Sequence, residues 1–188
     1  MDQIELLRQV VDALESIGIP YMVTGSIASS FYGEPRMTRD IDIVVAVRES
    51  HVDALCGAFG GGAFYIDATM VRQAISRHSM FGLIHSPSGN KVDFIVADDT
   101  PHDLEAFARS APRDLVPDRS IRIVAMEDLI LAKMRYFREG ESPKHPRDIL
   151  AMLQTNQPGV DTDYIATHAE EQGLLDIWEA IVARLHEN

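Results

Sequence analysis

Apolar residues recur at helical spacing through the first stretch of the chain. Ile4, Leu7, Val10, Val11, Leu14 and Ile17 predict an amphipathic helix over 2–17, which Gly18 and Pro20 stop. YMVTGS then reads as a short strand ending in glycine, followed by a helix over 27–32 and a loop, GEPRMTR, where glycine and proline interrupt both periodicities. IDIVVAV at 41–47 is a continuous β-branched run, the pattern of a strand covered on both faces. Helices over 50–59 and 68–76 flank the glycine run 60–62. SMFGLIHS and KVDFIVA form two strands around the turn sequence PSGN, a helix follows over 102–109, and IRIVA at 121–125 reads as a short edge strand. From Met126 the period is helical, giving helices over 126–138, 147–154, 162–172 and 174–186. The pattern predicts an α/β (α+β) fold: a mixed β-sheet head flanked by helices over 1–125, with a helical C-terminal subdomain over 126–188.

Composition narrows the chemistry. The 188 residues are 46% hydrophobic and 24% charged, enough for one good core and short for two independent domains. No run approaches the roughly 18 apolar residues of a membrane span, and the N-terminal helix carries acids rather than a basic signal. The expectation is a soluble, cytoplasmic protein without membrane contact. Cys56 is the single cysteine, which excludes an intrachain disulfide and a cysteine-based zinc cluster, so a bound metal would need oxygen or imidazole ligands. The formal charge of -12 repels polyanions at long range and argues against a general nucleic-acid coat protein. Residues 161–188 hold seven acids and one base, half of that charge.

Three carboxylates stand out. In TRDIDIVV, Asp40 and Asp42 lie two residues apart on a strand and share one face, while Ile41 and Ile43 share the other. A hard divalent cation, Mg²⁺ or Mn²⁺, would compensate two adjacent like charges and also bind triphosphate oxygens. An isolated Asp-x-Asp also fits a solvated strand end. Asp93 in KVDFIV shares a face with Lys91 and Ile95, opposite Val92, Phe94 and Val96, and so emerges from mid-strand. A charge there is paired or ligated: either a salt bridge to an arginine, or a place beside Asp40 and Asp42 in a shared metal site. Gly25-Ser26 after a strand lets the backbone approach a phosphate at a helix start, although serine is also an ordinary N-cap.

In combination, VTGS, a thirteen-residue gap from Ile27 to Arg39, DID and KVDFIV resemble the nucleotidyltransferase superfamily typified by DNA polymerase β. The resemblance covers about residues 20–97. It implies that Gly25 and Ser26 bind the triphosphate, that Asp40 and Asp42 bind two metal ions, and that Asp93 binds the catalytic metal and helps activate the attacking hydroxyl. Arg36 and Arg39, in the loop before the metal strand, could contact phosphate or pair with the acids.

Further along, Glu127-Asp128-Leu129 with Lys133, then Lys144, Asp148 and Ile149, look like the helices of AbiEii-like bacterial toxin nucleotidyltransferases; His145 departs from that pattern, which has Asp there. The resemblance implies that Lys133 neutralises phosphate charge; a snorkelling lysine is the alternative. It also implies an antitoxin partner. Two acceptor classes stay open, RNA or protein in the toxin-like branch and a small molecule of the antibiotic-modifying kind, beside a non-catalytic descendant that binds nucleotide or a partner. His78, His85 and Trp178 carry no spacing that demands chemistry.

Overall fold

A computed structural model describes residues 1–35, 38, 40–117, 119–156 and 159–187. These divide into two compact units, Met1–Ile27 with Met37–Ile123 and Ala28–Arg36 with Val124–Asn188. In the first unit the described residues form one seven-stranded mixed sheet, and the fold is the α/β class that the sequence pattern predicts. The strands are β1 (Tyr21–Val23), β2 (Asp40–Val45), β3 (Phe64–Tyr65), β4 (Met80–His85), β5 (Asn90–Val96), β6 (Ala111–Val116) and β7 (Arg119–Ile123), in the order β3-β4-β5-β2-β1-β7-β6.

Helix α1 (Gln3–Ile17) starts where Asp2 accepts the Glu5 amide at 2.8 Å. It buries Leu6, Leu7, Val10, Val11 and Leu14 in the core of this unit. Each such side chain contributes roughly 1.5–3 kcal/mol of transfer free energy. Leu6, rather than Ile4, joins the apolar stripe, and Ile4 remains 53% exposed. Helix α2 (Gly25–Tyr32) follows β1 directly, while α3 (Val52–Ala58), α4 (Ala68–Arg77) and α5 (Pro101–Arg109) fall close to where the periodicity puts them.

Two details of the sheet differ from the pattern expected of the sequence. β7 is not an edge strand: it pairs with β1 in parallel and with β6 antiparallel. The true edge, β6, contains Pro112, Arg113 and Asp114, polar and proline content that keeps an edge from pairing further. β2 is not fully covered on both faces either, since Ile41, Ile43 and Val45 are buried whereas Asp42 and Val44 are only partly covered. The half-open face is the one that carries the carboxylates. β4 and β5 form the expected hairpin, with His85 opposite Asn90, and the His85 ring bonds the Ser88 hydroxyl across the turn at 2.7 Å.

The second unit contains helices α6 (Met126–Gly140), α7 (Lys144–Asn156), α8 (Thr162–Glu171) and α9 (Leu175–His186). Its interior gathers Leu129, Ile130, Met134, Ile149, Met152, Ile165 and Trp178. Within this unit the Tyr32 hydroxyl donates to the Val124 carbonyl at 2.9 Å, and the Asn156 amide donates to the Tyr32 carbonyl.

Candidate active site

Parallel pairing of β2 with β5 sets Asp42 directly beside Asp93 and Asp40 beside Lys91. Laterally paired residues point to the same face of a sheet, with strands about 4.8 Å apart. Asp40, Asp42, Lys91 and Asp93 therefore form a patch of three acids and one base on the half-open face. The opposite face of both strands is the apolar core, with Ile41, Ile43, Val92 and Phe94 fully buried. Period-two alternation thus separates the polar chemistry from the packing, strand by strand.

Gly25 is held against this patch. The Thr24 amide donates to the Asp42 carbonyl at 2.9 Å. At Gly25, with φ of +61°, an added Cβ would lie 2.0 Å from Asp42 Oδ2 and 2.7 Å from Asp42 Cβ. An L side chain is strained in that conformation, and the Asp42 side chain already fills the space. The glycine is needed on two independent counts, and Ser26 follows it in the first turn of α2.

Lys91 is the member of the patch to which the sequence assigned no role. Its ammonium donates to Asp93 Oδ1 at 2.6 Å, with side-chain exposures of 43% for Lys91 and 15% for Asp93. The bond to Asp93 holds the Lys91 pKa above its ordinary value, opposed by partial burial and aided by the charges of Asp93, Asp40 and Asp42. On the other flank of β5, Asp93 faces Gly82 of β4, so β4 contributes no side chain at that position. The i−2 spacing of Lys91 and Asp93 was the available signal, since it puts both on one face.

Lys133 lies in the second unit and is buried, as its place among Ile130 and Phe137 suggested. Its ammonium donates to Asp148 at 2.7 Å, joining α6 to α7. Nearby, the Tyr164 hydroxyl donates to Asp128 at 2.8 Å. Arg36 and Arg39 lie outside the described residues.

Whether the acids suit a divalent cation is a question of donor chemistry and spacing. Hard oxygens from adjacent strands on one face are the right donors for Mg²⁺ or Mn²⁺. Among the described residues, no three acidic, imidazole or thiol side chains are gathered at metal-holding distance. At Asp93 the ammonium of Lys91 takes the position of a counter-ion. The set fits a hard cation in kind, and a cation at Asp93 would compete with the Lys91 ammonium.

No family model and no curated protein sequence matches the chain. Solved structures do. The antibiotic-resistance factor ANT(2'')-Ia in solution superimposes with a TM-score of 0.57 at 14% identity, over 98% of this chain and 95% of that one. The lincomycin-bound lincosamide antibiotic adenylyltransferase LnuA gives a TM-score of 0.54 at 18% identity, over 83% of this chain and 99% of that one. An antigenic nucleotidyltransferase-like protein from Paracoccidioides brasiliensis gives 0.50 at 20% identity, covering 97% of this chain and 93% of that one. The chain therefore has the fold of nucleotidyltransferases. At these identities the likeness is one of fold.

Proposed function

We propose that the protein is a metal-dependent nucleotidyltransferase that moves a nucleoside monophosphate from a nucleoside triphosphate to an acceptor hydroxyl, releasing pyrophosphate. The observation that carries this reading is the register of Asp42 beside Asp93 with Gly25 packed against Asp42. In it Asp40, Asp42 and Asp93 hold the divalent cation, which when bound would offset triphosphate charge and lower the pKa of the attacking hydroxyl. Gly25 keeps the backbone close to the carboxylates, and Ser26 offers a hydroxyl to a phosphate oxygen at the start of α2. Lys133 is proposed as a phosphate-neutralising cation on the sequence resemblance, and Arg39 as a phosphate contact on its place in the sequence just before Asp40.

Charge and the helical motif support different acceptor classes. A protein with 29 acids and 17 bases disfavours an RNA polyanion and favours a neutral or cationic small molecule. The crystal structure of ANT(2'')-Ia contains adenylyl-2''-tobramycin, an adenylylated small molecule, and supports that reading by analogy of fold. The toxin-like reading, with an antitoxin partner and an RNA or protein acceptor, rests on the motif around Lys133 and Asp148 in α6 and α7. The test is mass spectrometry of acceptor panels after incubation with each triphosphate and Mg²⁺, scoring nucleotidylated aminoglycosides, lincosamides, RNA and the protein itself. A product formed equally well by wild type and Asp93→Asn would refute the assignment. Modified RNA or protein, with every small molecule unmodified, would select the toxin-like reading.

A further inference from the structure

The patch on β2 and β5 contains its own cation, and the position of that cation has a consequence for any metal that enters. Lys91 Nζ sits 2.6 Å from Asp93 Oδ1, and the lateral neighbour of Lys91 on β2 is Asp40. On the β4 side the stem passes over Gly82, where an added Cβ would lie 3.4 Å from Lys91 Cε and 3.9 Å from Asp93 Oδ1. The residue level with Lys91 on β4 is Ile84, whose side chain offers the ammonium no acceptor.

We propose that Lys91 is a resident counter-ion of the carboxylate site, bound to Asp93 in the metal-free protein and displaced from it when a divalent cation binds. The proposal rests on the metal-holding reading of Asp40, Asp42 and Asp93 above. One ammonium against three acids leaves a net negative patch, which a doubly charged ion compensates better at the same contact distance. The ammonium at 2.6 Å from Asp93 Oδ1 competes with a metal ion for the charge of that carboxylate, and two cations drawn to the same oxygen repel each other. Lysine suits such an exchange: it is a point charge on a flexible four-carbon stem, without the planar fork by which arginine clamps a carboxylate in two places. Its side chain is 43% exposed, so water can take up the released ammonium. The carboxylates are in this way kept together before metal arrives, at the expense of metal affinity.

Mn²⁺ binding to the full chain without nucleotide, followed by calorimetry and by the electron spin resonance of free Mn²⁺, tests this. Lys91→Met should bind Mn²⁺ about tenfold more tightly than wild type, while Lys91→Arg, which keeps the charge, should bind no more tightly than wild type. In EDTA, Lys91→Met should melt below wild type, and Mn²⁺ should raise its Tm by more. Equal Mn²⁺ affinity in wild type and Lys91→Met would overturn the displacement and leave the carboxylate site standing. Failure of both proteins to bind Mn²⁺, with the fold intact by circular dichroism, would overturn the metal site and the displacement together.

Discussion

Two lysine–aspartate pairs, one in each unit, have nearly the same contact distance and opposite surroundings. Lys91 and Asp93 meet at 2.6 Å with side chains 43% and 15% exposed; Lys133 and Asp148 meet at 2.7 Å with side chains 6% and 9% exposed. The first pair stands in a patch with Asp40 and Asp42 beside it, and the second is buried where it bridges two helices. Distance alone would rank them as equals. Desolvation separates them: a buried pair is costly to form and far costlier to break on one side, whereas a half-exposed pair exchanges with water or another ion. The open pair is free to exchange partners, whereas the closed pair ties α6 to α7.

The strongest way to break this comparison is to remove acids from the open patch. Asp42→Asn or Asp93→Asn should lower nucleotide transfer on the order of 10³-fold, the scale of losing a charge-stabilising group, with little change in Tm. Gly25→Ala should lower transfer comparably, because its Cβ would occupy the position of the Asp42 carboxylate; wild-type kcat/KM in that variant would show that the packing does not matter.

The closed pair should respond in stability instead. Lys133→Ala leaves Asp148 buried without its ammonium and should cost about 3–5 kcal/mol in denaturant unfolding, whereas Lys91→Ala should cost about 0–1 kcal/mol. Similar losses at the two sites would erase the distinction. The double variant Lys133→Met/Asp148→Leu should regain most of the lost stability, and its transfer rate then isolates the proposed phosphate role of Lys133: retained transfer would leave that lysine purely structural.

The smallest effect concerns Tyr21, whose hydroxyl donates to Glu15 at 2.8 Å in the first unit. Burial and this carboxylate push its pKa up to about 12. The folded state thus holds the phenolic proton more tightly than the unfolded chain, where the value is about 10. Its contribution is fully present below pH 10 and declines as the pH rises toward 12, by the sign of proton linkage. Tyr21→Phe should flatten that part of the stability profile by about 1 kcal/mol; an unchanged slope between pH 10 and 12 would remove Tyr21 as its source.

The parts of this picture legible in the sequence are those governed by period. Alternation along β2 and β5 put Asp40, Asp42 and Asp93 on polar faces opposite an apolar core, and the glycine–serine step marked the turn into α2. What alternation cannot express is the neighbour across the sheet. That Asp42 is level with Asp93, that Asp93 has only Gly82 beside it on β4, and that Gly25 presses on Asp42 are properties of register and tertiary approach. β6 escaped notice because an edge strand needs no apolar face, and β3 because two residues carry no period. In α6, spacing predicted a buried stem for Lys133 but could not name Asp148, which α7 brings to it. Arg39 lies outside the described residues, so its proposed phosphate contact has only the sequence behind it.

The parallel contact between β2 and β5 also has a consequence for how the protein is made. Residues 40–45 and 90–96 are joined through β3, β4 and the helices between them, so closing this contact means closing a long loop. Such non-local pairings form late and slowly in folding. During synthesis, Asp40 and Asp42 leave the ribosome well before Asp93, and until β5 docks they lack both their third acid and the lysine that comes with it. Asp93 and Lys91 arrive on the same strand in one step, so the nascent chain gains the last carboxylate together with a charge that offsets it.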